Sequence, residues 1–384
     1  MCGEFPKSTS DIIEKAPLSL GWSPSSGLLQ LSEDIDINSM YGENYGYRSG
    51  LNSSMVDHLN KKVNYLLEIC NIEKKNCVLD IGSNDGTLLS NYSSNIMRIG
   101  IDPTIKKYAK FYPESIIKVA DFFNFKKFNE VSNGLKADII TSISMFYDLP
   151  DPNSFVRDIK STLSPQGIWN LEQSYMPSML RTNSYDTVCH EHLEYYSLFV
   201  IKKLIEDNGL RIIDVVFNKI NGGSFSITVS HQEAKYKSNS SIINWVLSQE
   251  DKMQLNSPYP YREFERRAYS HRSDLIELIN LINSSNKKVA GYGASTKGNV
   301  ILQFCQFRSN DLFGIAEVNE DKFNKFTPGS NIPILSEKEI KSENPDYLLV
   351  LPWHFRENII NREKEFLRKG GKLIFPLPNI EIVG

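Results

Sequence analysis

The chain has 384 residues, 40% hydrophobic and 23% charged, a balance that suits two or three soluble globular domains. A net charge of −3 and five scattered cysteines argue against a broad nucleic-acid surface and against a disulfide framework. No apolar run approaches the ~20 residues of a membrane span. The N-terminal MCGEFPKSTSD lacks the apolar core of a signal peptide, so a cytoplasmic protein is expected, with neither nucleic acid nor membrane as partner.

Residues 1–60 read as a small appended module. Pro17–Leu31 is apolar, then Ser-Pro-Ser-Ser-Gly, then apolar again, the pattern of a hairpin. Tyr41, Tyr45 and Tyr47 lie in MYGENYGYRSG. By residue type alone they are half-buried packing residues of a loop.

Residues 61–235 carry an α/β pattern, and a helix over Val56–Cys70 precedes its first strand. CVLDIGSNDGTLL (Cys77–Leu89) reads as strand, tight loop and helix. Gly82 and Gly86 let the backbone bend towards a ligand, and a helix N-terminus after them would favour polar or anionic atoms. The spacing is D-x-G-x-x-x-G, unlike that of dinucleotide binders. The strand Met97–Ile101 ends at Asp102-Pro103, where an acidic side chain suits two ribose hydroxyls. Ile116–Phe123 brings Asp121 and Phe122, and Ala137–Ser144 is a fourth strand. These ordered pieces resemble a class I S-adenosylmethionine (SAM)-dependent methyltransferase. The expected cofactor is SAM, held by Asp80, Gly82, Asn84, Gly86, Asp102, Pro103, Asp121, Phe122 and Ser144. MFYDLPDP with Tyr147 and Asp148 follows, then a helix over Ser154–Leu163, a fifth strand Gly167–Glu172, a helix near Leu198–Asn208 and strands Arg211–Phe217 and Ser224–His231. An antiparallel closing pair distinguishes this fold from the plain doubly wound sheet.

Residues 236–384 read as a linker, or a helix and loop, to about residue 260. A helix over Arg262–Leu281 and a smaller α/β domain follow. KVAGYG and Ala294–Phe304 form its first strand and helix, with later strands at Leu312–Val318, Tyr347–Pro352 and Lys372–Pro376 and a helix at Glu357–Lys369. Ser295, Thr296 and Lys297 stand where a helix N-terminus can hold phosphate. An ordinary glycine turn is an equal reading of that loop.

SYDTVCHEHLEYYS (Ser184–Ser197) holds His190 and His192 around Glu191. H-x-H can bind metal, but no matching Cys/His pair lies at ligand spacing. A histidine after the fifth strand is a reasonable general base. EQSYMPSML, YDTVCHEHLEYYS, NGGSFSITV, GYGASTKGN, FTPGSNIPI and PDYLLVLPWHF, in this order, are similar to the nucleotide-sugar C-methyltransferases of deoxysugar biosynthesis. The similarity covers nearly the whole chain. It implies an N-terminal module (1–60), a SAM domain (61–235) and a C-terminal Rossmann-like α/β domain (236–384). It also implies methylation of a carbon beside the ketone of a 4-keto-6-deoxy sugar on a nucleoside diphosphate, of dTDP or GDP type. His192 is then the base, with Glu191 beside it and Tyr47 reaching in from the N-terminal module. Tyr45, Tyr147, Asp148, Tyr175, Cys189, His190, Asn221, Gly222, Ser295, Thr296 and Lys297 are the expected substrate contacts. The family's N-terminal zinc module carries two Cys-x-x-Cys pairs. Here Ser23 and Ser26 replace the second, and only Cys2 remains of the first. One thiolate cannot close a tetrahedral site, so no zinc is expected. Monomer and homodimer both suit the sequence. A sugar O-methyltransferase of this architecture and a non-catalytic nucleotide-sugar binding protein are the alternative readings.

Overall fold

The computed structural model describes residues 3–33, 47–70 and 76–384; Cys2, Tyr41 and Tyr45 lie outside them. Sixteen strands form three sheets among the described residues. The central sheet is built of β3 (Cys77–Ile81), β4 (Met97–Ile101), β5 (Ile117–Val119), β6 (Ala137–Ile143), β7 (Leu163–Ser174), β9 (Leu210–Asn218) and β10 (Ser224–His231). Its order is β5-β4-β3-β6-β7-β10-β9. β10 runs antiparallel to both neighbours, and the pairings from β5 to β7 are parallel. All five residues of β3 are buried, as expected of a strand covered on both faces. The helix Ser53–Ile69 covers one face through Met55, Leu59, Val63 and Leu66, a helical stripe. The Asn52 side chain caps its start by accepting from the Ser54 N–H. This is the class I SAM-methyltransferase arrangement that the ordered motifs imply.

The turn after the glycine loop departs from expectation. No α-helix follows Gly86; a 3₁₀ turn, Leu89–Asn91, takes its place. Asn91 Nδ2 donates to the Thr87 carbonyl and Ser90 Oγ to the Gly86 carbonyl. Such side-chain bonds compete with a regular helix. The glycine loop therefore does not lead into the N-terminus of an α-helix here.

The hairpin strands β1 (Leu20–Trp22) and β2 (Leu29–Leu31) are joined by β8 (Glu194–Tyr195), with Leu29 opposite Tyr195. The N-terminal segment is thus stitched to the chain just beyond the two histidines. Ser23 and Ser26 close the hairpin turn: the Ser26 N–H donates to Ser23 Oγ at 3.4 Å and the Gly27 N–H to the Ser23 carbonyl at 2.8 Å.

The third sheet contains β11 (Val289–Tyr292), β12 (Ile315–Glu317), β13 (Ile334–Ser336), β14 (Tyr347–Val350), β15 (Lys372–Phe375) and β16 (Glu381–Val383). Its order is β13-β12-β11-β14-β15-β16, parallel except for β16. Strand order reverses between β11 and β14, a switch point where ligands of open α/β sheets bind. Residues 236–260 contain a helix, Ser240–Lys252, and the following helix runs over Tyr259–Ser284. The expected Glu357–Lys369 helix is two shorter ones, Arg356–Arg362 and Lys364–Arg368.

Candidate active site

At the C-terminal ends of β3, β4 and β6 lies a cleft of about 250 Å³. Gly82, Asn84, Asp102, Ser144, Tyr147 and Asp148 line it, joined by Tyr47, Cys189, Glu191, His192, Asn221, Thr296 and Lys297. Residues far apart in the chain, including those of the third sheet's first loop, therefore meet at one place. Gly82 adopts φ +71°, a conformation that glycine takes without strain. A Cβ there would lie 3.1 Å from Met145 Cγ, inside the cleft.

Asp102 organises the loop. Its Oδ2 accepts from the Asn84 N–H at 2.8 Å, and its Oδ1 accepts from the Thr104 N–H and hydroxyl, both at 2.6 Å. Burial raises its pKa, opposed by these bonds. Each carboxylate oxygen can accept more than one hydrogen bond, so capacity remains for a ribose. The Asn84 side chain accepts from the Ser49 N–H at 2.9 Å and donates to the Tyr47 carbonyl at 3.1 Å. Asp85 Oδ2 accepts from the Gly50 N–H at 2.9 Å. The glycine loop thereby holds the Tyr47–Gly50 backbone over the cleft. Tyr47 is 47% exposed as a residue, because it borders open clefts; burial of its phenol end still raises its pKa.

His192 is fixed from behind. Its Nδ1 lies 2.8 Å from the Thr187 carbonyl. A carbonyl only accepts, so Nδ1 carries the proton and Nε2 the lone pair. The Tyr147 ring packs edge-on against it, centroids 4.3 Å apart. Burial first, and the Lys297 charge second, lower its pKa to about 4, well below the usual histidine value. At neutral pH it is an uncharged base. Burial raises the pKa of Glu191, whose Oε2 is buried without a hydrogen-bond partner among the described residues.

Several expected contacts do not line this cleft. Asp80 points below the loop, where its Oδ1 accepts from the Thr141 hydroxyl at 2.6 Å and burial raises its pKa to about 7. Gly86 makes room for Tyr112: a Cβ would lie 2.7 Å from that ring. Thr104 lines the cleft and Pro103 does not. Asp121 pairs with Lys127 near the surface, beside the exposed Phe122. The Tyr175 hydroxyl donates to Glu250 Oε1 at 2.7 Å, inside the core. His190 Nε2 donates to the Ala16 carbonyl at 2.9 Å, tying the N-terminal segment down. Gly222 packs near Trp353. Tyr45 lies outside the described residues.

A second, larger cleft of about 610 Å³ opens at the switch point of the third sheet, between β11, β12 and β14. Tyr47, Glu191 and Thr296 line both clefts. Ser295 caps the helix Thr296–Phe304, its Oγ accepting from the Gly298 N–H at 3.0 Å, and lines the larger cleft; Lys297 lines the smaller. The phosphate-loop trio is therefore divided between two clefts. Reading the sequence missed Glu317, which ends β12. Its Oε2 accepts from the Ala294 N–H at 2.8 Å and its Oε1 from the Asn319 N–H at 2.9 Å. This repeats what Asp102 does for the first loop. An acidic residue closing the strand after a glycine loop was the available signal.

The fold and the glycine-loop cleft define a methyltransferase that uses SAM. A family model described as a methyltransferase domain matches residues 51–215, and one described as the C-methyltransferase C-terminal domain matches residues 219–378. The chain is therefore a SAM-dependent methyltransferase whose two matched regions follow one another along most of its length. It is 29% identical over 359 residues to the C-methyltransferase NovU of Streptomyces niveus, covering 93% of this chain and 85% of that protein. The tRNA U34 carboxymethyltransferase of Campylobacter jejuni (strain RM1221) matches at 29% over 119 residues, 30% of this chain and 41% of that protein. Among solved structures, the magnesium protoporphyrin IX methyltransferase of Synechocystis PCC 6803 with bound SAM aligns at 13% identity and TM-score 0.35, covering 46% of this chain and 79% of that one.

Replacement of Asp102 by alanine removes the carboxylate expected to meet the ribose and, with it, the brace on Asn84. Affinity for S-adenosylhomocysteine should fall by about 10- to 100-fold, from the ~1.5–3 kcal/mol of a hydrogen bond to a charged group. Calorimetry reads this directly. Unchanged affinity would remove Asp102 from the cofactor site.

Proposed function

We propose that this enzyme methylates a carbon adjacent to the ketone of a 4-keto-6-deoxy sugar carried on a nucleoside diphosphate, through an enolate. The observation that carries the reading is the neutral, oriented His192 lining the small cleft, which shares Tyr47, Glu191 and Thr296 with the larger one. SAM would lie in the smaller cleft, with Gly82, Asn84 and Asp102 to hold it, and would supply an electrophilic methyl group. The sugar lies across the junction formed by Tyr47, Glu191 and Thr296. The nucleoside diphosphate extends into the larger cleft beside the start of the helix Thr296–Phe304, where Arg48, Lys322 and Arg362 stand paired with Asp85, Glu317 and Glu337. The three parts are residues 1–60, which lend Tyr47, 61–235, which bind the cofactor, and 236–384, which bind the nucleotide.

A hydrogen on a carbon beside a ketone is weakly acidic. His192 Nε2 takes that proton, and the C–H electron pair becomes the carbon–carbon double bond of the enolate as the carbonyl oxygen gains charge. Donors held around that oxygen lower the barrier most, since they need no reorganisation. The Tyr47 hydroxyl is one such donor. Tyr147 and the Thr187 carbonyl keep the imidazole in place, and positioning over the acidic carbon supplies much of the rate.

Incubation with SAM and a panel of nucleotide-linked keto sugars tests the reading. Mass spectrometry should find a product heavier by one methylene unit, and carbon NMR should place the methyl on carbon. A methyl on oxygen would instead assign the enzyme to O-methylation.

A further inference from the structure

We propose that Lys297 is a catalytic residue, the cation that holds the enolate oxygen in the small cleft, rather than a phosphate ligand. The inference rests on the keto-sugar reading above. Lys297 belongs to the third sheet's first helix, yet its side chain leaves the large cleft and enters the small one. Its Nζ donates to the Asn221 carbonyl at 3.0 Å. Asn221 lies in the turn before β10, in a left-handed conformation at φ +54°, and its Nδ2 reaches Ser144 Oγ at 3.4 Å. The ammonium is thus docked on the wall of the cofactor domain by one of its three N–H groups. The other two remain to meet an oxygen.

The surrounding charges favour this assignment. Apart from His192, Lys297 is the only basic side chain among the described residues that line the small cleft. Asp186 lies close enough to feel it, but no ion pair within 4.0 Å joins the two; Asp186 Oδ2 instead accepts from Trp353 Nε1 at 2.7 Å. The other titratable groups lining the small cleft and the pocket beside it are Tyr47, Asp102, Tyr147, Asp148, Cys189, Glu191, Glu194 and Tyr195. Lys297 also helps lower the His192 pKa, second to burial. One charge then does two things. It keeps the base deprotonated before the reaction, and it receives the negative charge that deprotonation creates.

The chemistry balances without further reactants. The proton passes to His192 Nε2 and the carbonyl π electrons move onto oxygen, which accepts hydrogen bonds from Nζ. When the enolate carbon bonds to the methyl, the pair of the broken methyl–sulfur bond would stay on sulfur, the enolate electrons return and the ketone reforms. No proton leaves Lys297.

The test is Lys297→Met, with Lys297→Gln as a second variant should the first not fold, and Lys297→Arg to retain charge. Wash-out of an α-deuteron from the keto sugar is followed by NMR without SAM. The neutral variants should slow wash-out and turnover by about 10²–10³, the usual loss for one oxyanion donor. KM for the nucleotide sugar should stay within about threefold. The acidic limb of kcat/KM should move up from about 4 towards the ordinary histidine value of ~6.5, and Lys297→Arg should keep it low. Wash-out at the wild-type rate overturns the proposal. So does a raised KM with unchanged turnover, the signature of a phosphate ligand. Absence of wash-out in the wild-type enzyme would overturn the keto-sugar reading itself.

Discussion

Replacing His192 with asparagine should lower turnover by about 10²–10⁴, the range for losing a general base, while the affinity for S-adenosylhomocysteine stays within about twofold. The ring is held by one carbonyl and one aromatic edge, so its loss leaves the sheet and the glycine loop unchanged. The pH dependence is more diagnostic. In the wild type kcat/KM should rise with pH through about 4, because burial and Lys297 depress the imidazole to that value. A free histidine would place the limb near ~6.5. The variant should have no limb of this origin. Tyr47→Phe should lower turnover and leave the limb in place. If His192→Asn retains wild-type turnover while Tyr47→Phe abolishes it, the phenol is the base.

The second large effect falls on stability. Glu172, on β7 and 1% exposed, meets His58 Nε2 at 2.6 Å and Lys62 Nζ at 2.5 Å, and Lys62 also donates to Ser226 Oγ at 2.6 Å. Both partners come from the helix Ser53–Ile69. Lys62→Met should cost about 3–5 kcal/mol of unfolding free energy, because it leaves a buried carboxylate with half its compensation. Burial alone would raise the Glu172 pKa; His58 and Lys62 outweigh it and hold the group below the ordinary glutamate value of 4.5. Its contribution is therefore full above about 4.5 and is lost as pH falls through the depressed folded value. In the variant the carboxyl titrates higher, so the gap between the two proteins should narrow in acid. Denaturant melts at several pH values measure this. A loss below 1 kcal/mol would mean that water reaches Glu172.

What the sequence disclosed was local. D-x-G-x-x-x-G and the acid ending the next strand lie within about twenty-five residues, and a strand-loop-strand unit needs no distant partner to be recognised. The CHEH motif was legible for the same reason. Side chains spent on structure were not. Tyr175 and His190 carry the right chemistry, but Glu250 and Ala16 claim them, and Glu250 belongs to a helix in a stretch that reads either as a linker or as a helix and loop. Asp80 is likewise taken by Thr141. The strands β8, β13 and β16 span two or three residues each, too short for an alternating pattern. Lys297 entered the sequence reading as part of a phosphate loop, because nothing local reveals that its side chain crosses to another sheet's cleft.

The most direct measurement of the central claim is the exchange of the sugar's α-hydrogen with solvent. The wild-type enzyme, in deuterium oxide with a nucleotide-linked 4-keto-6-deoxy sugar and no SAM, should replace one ring proton beside the ketone, seen as loss of its proton NMR signal. The position exchanged should be the carbon that later carries the methyl. Methyl transfer to the same substrate with no exchange at that carbon, and with the new methyl on oxygen, would contradict the enolate account.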